Sequence, residues 1–224
     1  MFKSLHITAA ATLLAVCSLN AQTLIQYTFD GGSRSATVVE TGYTGNDAAW
    51  TGTSGGFSSA TSTAFSDLAN LGTSLITSRY LEVSISATSG FLPEELSLQF
   101  DFGAQNAGTE PFDARSSVKT SLDSFTGSLT LQPDNSTTAT LSIPADNTTH
   151  MTSVTGSILV GSNVSDLTIR LYPSRTTTTP SGSNPSGFYR YDNISISSIP
   201  EPSSALYLLP VALLVPLLRR FRRK

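Results

Sequence analysis

Few side chains in this chain could do chemistry. Its histidines are His6 and His150, and Cys17 is its single cysteine. Any Ser-His-Asp or Cys-His arrangement outside the first residues would have to run through His150. That residue closes the polar turn Asn147-Thr148-Thr149-His150, where a solvated imidazole is expected. Multi-His and Cys-based metal clusters are excluded by count. Glu94-Glu95 offers the two carboxylates a glycosidase needs, but neighbours on a strand point to opposite faces and cannot flank one bond. Hard oxygen donors suited to a structural Ca²⁺ remain. Asp30 and Asp192 lie near the start and end of the body, where a jelly roll would bring them together, and Asp101, Glu110 and Asp113 lie near loops. Solvated surface carboxylates are the other reading. Trp50, with Tyr43 and Phe57, sits in a Gly-rich stretch, so its ring serves either as a glycan-stacking platform or as core. No catalytic residue and no cofactor other than that calcium ion is expected.

Strands must position these groups. Charged residues make up 13% of the chain, about half the usual quarter, and Ser and Thr fill the gap. Hydrophobic residues at 39% still suffice for a packed core. Period-2 alternation, bounded by Gly, Pro, Asn, Asp and Ser, marks strands over 23–30, 35–41, 80–87, 95–103, 116–122, 127–132, 139–143, 153–160, 166–172 and 188–197. Leu96-Ser97-Leu98-Gln99-Phe100-Asp101-Phe102 is the cleanest case. One buried and one wet face per strand implies antiparallel sheets, and the number of strands implies an all-β, two-sheet sandwich of jelly-roll type. The stretch 42–77 reads as long loops with one short helix over 66–71, capped by Ser66. A second loop covers 176–185. Asn-x-Ser/Thr triplets at Asn135, Asn147, Asn163 and Asn193 are glycosylation acceptors by pattern.

The two ends carry a route. Lys3, an apolar stretch over 7–16 and Ser18-Leu19-Asn20-Ala21 read as a secretory signal peptide, residues 1–21, cut after Ala21. Leu14-Ala15-Val16-Cys17 approaches a lipobox, but Val16 stands where a small residue is usual, so Cys17 is expected to leave with the leader. At the other end, Pro200-Glu201-Pro202 precedes an apolar run over 205–218 and the basic cluster Arg219, Arg220, Arg222, Arg223 and Lys224. At ~1.5 Å per residue that run spans ~21 Å against a hydrocarbon core of ~30 Å, a short anchor that snorkelling arginines and local thinning accommodate. Cationic clusters stay cytoplasmic and the leader exports the chain attached behind it, so both ends give one topology: body outside, extreme C-terminus inside. The body, 22–198, holds 7 Lys+Arg and 15 Asp+Glu. This clearly acidic balance is hidden in the whole chain's −3, and it argues against nucleic acid as a partner.

The three-part arrangement over 199–224 resembles the PEP-CTERM sorting signal of Gram-negative bacteria. The resemblance implies handling by an exosortase, a membrane cysteine transpeptidase that cuts at or near Pro200-Glu201-Pro202. It also implies transient anchoring in the inner membrane, delivery to the cell surface or matrix, and an association with exopolysaccharide. Partners are then the export machinery, the exosortase and the membrane. The body is similar, more loosely, to laminin-G-like or galactose-binding-like sandwiches of such proteins. Leu24 to Asp30 looks like their first strand, and Tyr191-Asp192-Asn193-Ile194 like their last. Arg115-Ser116-Ser117-Val118 with Asp123-Ser124-Phe125 looks like an internal motif, lengthened here by Lys119-Thr120-Ser121-Leu122. Three readings of the body stay open: a non-catalytic polysaccharide binder, a jelly-roll hydrolase or lyase, and a structural coat protein without a specific ligand.

Overall fold

The computed structural model describes residues 21–68, 71, 73–176 and 187–199. Residues Ala21–Ile199 form one compact unit. Among the described residues the regular elements are strands and short 3₁₀ turns: β1 (Thr23–Tyr27), β2 (Val38–Val39), β3 (Tyr43–Thr44), β4 (Ala49–Thr51), β5 (Gly55–Ser58), β6 (Thr63–Asp67), β7 (Tyr80–Ala87), β8 (Glu95–Asn106), β9 (Phe112–Thr120), β10 (Leu131–Gln132), β11 (Ala139–Ile143), β12 (Thr149–Leu159), β13 (Asp166–Arg175) and β14 (Gly187–Ser198). They build a two-sheet sandwich. The larger sheet runs β10-β12-β8-β14-β1-β2, with the β5–β6 hairpin added through β6 on β14. The smaller runs β11-β9-β13-β7-β3, with β4 also on β7.

The alternation seen in the sequence becomes the sheet faces. Leu96, Leu98, Phe100 and Phe102 of β8 are fully buried between the sheets, as are Val83 and Ile85 of β7, Leu167, Ile169 and Leu171 of β13, and Tyr189, Tyr191, Ile194 and Ile196 of β14. Three buried tyrosines carry hydroxyls into this core, and each finds a partner, as a buried polar group must. Tyr27 donates to the carbonyls of Asn46 (2.8 Å) and Ser84 (3.1 Å), Tyr189 donates to that of Arg115 (2.9 Å), and Tyr191 meets Ser116 Oγ at 2.9 Å. Ser84, Arg115 and Ser116 belong to the opposite sheet, so these hydroxyls join the two layers. Burial pushes the Tyr27 phenol up to about 12.

Two departures from the sequence reading have clear causes. The stretch 42–77 is not a set of loops: it holds β3 to β6, strands of two to five residues too short to show a period. The helix expected over 66–71 does not start at Ser66, because Thr63–Asp67 is a strand whose residues 64–67 pair with 188–191 of β14, and Ser66 is a buried strand residue, not a cap; residues 69 and 70 lie outside the described residues. The expected strand over 166–172 runs on through Pro173 to Arg175. Pairing with β7 stops at Leu171 while β9 continues to pair, so Pro173 sits where one flank of β13 is open and its missing N–H is tolerated.

All four asparagines of the Asn-x-Ser/Thr triplets have left-handed backbones, with φ of 48° at Asn135, 58° at Asn147, 65° at Asn163 and 48° at Asn193. Asn tolerates this region better than other side chains, so each triplet has a conformational reason to begin with Asn. At Asn193 the turn creates a bulge: the β14–β8 register slips between Asp192 and Ser195. The same bulge divides the other flank of β14, with β6 pairing to 188–191 and β1 to 194–197.

Candidate functional site

The bulge and the β5–β6 hairpin give the larger sheet a structured outer face. With Phe100, Phe102, Tyr189 and Tyr191 turned into the core, the alternate residues Gln99, Asp101, Gln105, Phe188, Arg190 and Asp192 point outward. Arg190 is nevertheless only 5% exposed. Its cross-strand neighbour is Gly103, where an added Cβ would strike the backbone carbonyl of His150, and the hairpin turn covers it from the other side. Its guanidinium donates to Thr61 Oγ1 (2.8 Å), Thr63 Oγ1 (3.0 Å) and Gln105 Oε1 (3.0 Å), while Nε has no partner. These acceptors are all neutral, and burial lowers the pKa of Arg190. Gln105 is itself fixed by Nε2 on the Asn147 carbonyl and Oδ1, both at 3.2 Å.

Beside this group stands an aromatic pair. Phe188, 37% exposed, meets Phe65 edge to face with centroids 5.3 Å apart. The Phe65 ring lies over Gly56, where an added Cβ would come within 2.9 Å of it. Alternation in Phe188-Tyr189-Arg190-Tyr191-Asp192 was the signal that could have placed Phe188 and Arg190 together on the wet face. Phe65 was hidden in the stretch read as loop.

Asp30 and Asp192 do approach each other, and Asp101 joins them. Asp192 pairs directly with Asp101 across β14 and β8. Burial pushes the Asp192 carboxyl up to about 6, with the Asp101 and Asp30 carboxylates adding to the shift and the Asn193 N–H opposing it. All three carboxylates already accept hydrogen bonds. Asp101 accepts from Ser153 Oγ and Asn193 Nδ2, Asp192 from the Asn193 N–H, and Asp30 from Thr28 Oγ1. Among the described residues no group of three or more His, Cys, Asp or Glu side chains is placed to hold a metal ion.

Trp50 stands on β4, not on a loop. It is partly buried and packed against the core. Its indole N–H donates to the Gly56 carbonyl at 3.2 Å, its ring lies 5.9 Å from that of Tyr191, and Gly55 lies so close to one indole face that a Cβ there would come within 2.5 Å. The expected glycan-stacking platform is thus largely occupied by the protein itself. His150 lies on β12, and its Nε2 sits 2.9 Å from Asp146 Oδ2 in a surface pair. Glu95 is an exposed residue at the start of β8, where it accepts from Ser157 Oγ at 2.6 Å.

On the outer face of the smaller sheet, Arg170 is paired with a carboxylate and two rings. Arg170 donates from Nε to Glu82 Oε2 at 2.8 Å, and its guanidinium lies 3.6 Å from the Phe125 ring centre and 4.3 Å from that of Tyr80. Phe125 and Ser124 both have left-handed backbones, φ 61° and 59°, a costly conformation for non-glycine residues. Asp123 steadies the turn by accepting from the Gly127 N–H at 2.6 Å. The internal motif around Arg115 and Asp123-Ser124-Phe125 therefore builds turns and core contacts.

Residues 1–20 of the expected leader, Pro200, Glu201, Pro202, the run over 205–218 and the cluster Arg219, Arg220, Arg222, Arg223 and Lys224 lie outside the described residues. Among the described residues no helix is long and apolar enough to cross a membrane.

No protein-family profile matches the chain, and no curated protein matches it. Similar solved structures include the K3 cleaved adhesin domain of Lys-gingipain from Porphyromonas gingivalis W83, at 14% identity over 79% of this chain and 99% of that one, TM-score 0.37. The K1 cleaved adhesin domain of the same protein is 13% identical over 78% and 97%, TM-score 0.33. The N-terminal cellulose-binding domain of Cellulomonas fimi β-1,4-glucanase C is 10% identical over 69% and 90%, TM-score 0.37. Likenesses this distant carry nothing over to the ligand of this chain.

Proposed function

We propose that this is an exported surface or matrix protein whose body is a non-catalytic, jelly-roll-type sandwich that binds polysaccharide. The leader 1–21 is removed by the export machinery. The run over 205–218 then holds the body at the inner membrane with Arg219 to Lys224 inside, and an exosortase acts at Pro200-Glu201-Pro202. The observation that carries this reading is the order of the three tail parts directly after the domain: β14 ends at Ser198, and the motif starts at Pro200. Two prolines keep that segment out of helix and strand, which suits a protease working just outside the bilayer.

Polysaccharide binding is supported by the outer face of the larger sheet, where the exposed Phe188, packed on the half-buried Phe65, adjoins amide, hydroxyl and guanidinium groups held in place. An apolar surface flanked by oriented polar groups is the usual composition of a small-molecule site. The acidic body favours a neutral glycan over a polyanion. The test is replacement of Pro200, Glu201 and Pro202 together by Ala in the native cell. The variant is expected to accumulate in the inner membrane and vanish from the surface and medium. Unchanged release would overturn the sorting reading.

A further inference from the structure

Leu159 at 78% and Phe91 at 57% exposure are the two most exposed large apolar side chains among the described residues, and the register places both at one end of the larger sheet. Leu159 pairs with Glu95 at the start of β8. The Val160 and Gly161 N–H groups donate to the Glu94 carbonyl at 2.8 and 3.2 Å, and the Leu92 N–H donates to that of Val164 at 2.7 Å. These bonds hold the connection carrying Phe91 beside the one that begins after Leu159. On the opposite flank of β8, the Ile199 N–H donates to the Glu95 carbonyl at 3.4 Å. Leu159, Glu95 and Ile199 thus form a row across three neighbouring strands, ~10 Å wide at the usual strand spacing.

The chain leaves the sandwich at this row. From Ile199 to Ala205, where the apolar run begins, there are six Cα steps, at most ~22 Å when fully extended. We infer that, while the anchor is intact, this end of the sandwich is seated on the outer leaflet of the membrane, with Leu159 and Phe91 entering the interfacial layer. The inference rests on the anchor reading above. A single exposed Leu needs no explanation, but an exposed Leu and Phe beside the exit of a short tether stand where a lipid surface must lie. Partly apolar side chains at such a position enter the headgroup boundary by ~5–10 Å. Glu94 and Glu95 rim the patch, so the surface it fits is zwitterionic and not anionic. The Phe188–Phe65 pair lies at the other end of β8, opposite Gln105, ~34 Å away along the strand and turned toward the exterior. Cleavage of the tether releases the seated end along with the rest.

The test uses the full chain with Cys17→Ser and a single polarity-sensitive label at Leu159→Cys, Phe91→Cys or, as the distal reference, Glu110→Cys, reconstituted in phosphatidylcholine vesicles. An aqueous quencher should reach the label at 159 and 91 at least ~3-fold less than in detergent-free solution, as expected for interfacial burial, and reach 110 equally in both. If the chain resists an alkaline wash yet 159 and 91 are quenched as freely as 110, the anchor reading stands and the seated end is wrong. If the chain washes off, the anchor reading fails and takes this inference with it. Protection that appears only when exosortase-containing membranes are used would replace the lipid by a protein partner and equally overturn it.

Discussion

Arg170 on the smaller sheet and Arg190 on the larger are handled differently. Arg170 on the smaller sheet has a carboxylate partner in Glu82 and rings on Phe125 and Tyr80. Burial pulls its pKa down, but the bond to Glu82 and the groups around it more than offset this, and the net shift is upward. Arg190 on the larger sheet is more deeply buried, has only neutral acceptors and keeps an unpartnered Nε, and its net shift is downward; Arg115 and Arg175 of the smaller sheet also keep unpartnered Nε atoms. The outer face of the larger sheet sets the exposed Phe188 and the half-buried Phe65 next to hydrogen-bonding groups held in place. An aromatic ring beside oriented polar groups is the ground for proposing the larger sheet as the binding face.

The comparison can be broken by substitution. Arg190→Ala should have the largest effect, a loss of about 2–4 kcal/mol in denaturant unfolding, because it removes the buried guanidinium that bonds Thr61, Thr63 and Gln105 and loosens the β5–β6 hairpin. Arg170→Ala, at a partly exposed pair, should lose no more than about 1 kcal/mol. Equal losses would erase the distinction. Phe188→Ala should leave the fold intact but weaken binding of neutral exopolysaccharide about 10-fold, roughly the 1.4 kcal/mol of a moderate hot spot. Tyr80→Ala on the smaller sheet should leave binding unchanged, and the reverse pattern would move the site to that sheet.

The smallest expected effect concerns pH. A carboxyl whose folded pKa lies above its unfolded value binds an extra proton when folded, so its contribution to stability is present below the unfolded pKa and declines as pH rises. For Asp192, with a folded pKa of about 6, the melting temperature should fall as pH rises from about 4 through about 6. Asp192→Asn should flatten that part of the profile and raise the melting temperature at neutral pH by a few degrees. A profile unchanged by Asp192→Asn would place the titration elsewhere.

Much of this fold was legible wherever strands were long enough to alternate. Strands 80–87 and 139–143 coincide with β7 and β11, and the alternation from Leu96 to Phe102 matches the buried face of β8. What escaped was the region 42–77. Its strands are two to five residues long, and they are held by partners distant in sequence: Ala49–Thr51 by β7 and Thr63–Asp67 by β14. Local composition cannot show such pairing, so Trp50 looked like a loop residue and Ser66 like a cap. The closeness of Asp30 and Asp192 was foreseen from topology. Their chemistry was not, because it depends on the bulge at Asn193 and on Asp101 opposite. Phe188 and Arg190 were visible as letters, but their meaning came from which neighbours cover them.

The measurement that tests the account most directly is the intact mass of the native protein in membrane, surface and medium fractions. Sorting and release predict a surface or medium species that lacks residues 1–21 and everything beyond the Pro200-Glu201-Pro202 region, with the full tail present only in the inner membrane. If every copy stays in the inner membrane with Lys224 in place, there is no exosortase step, and the sandwich is a permanently tethered periplasmic domain.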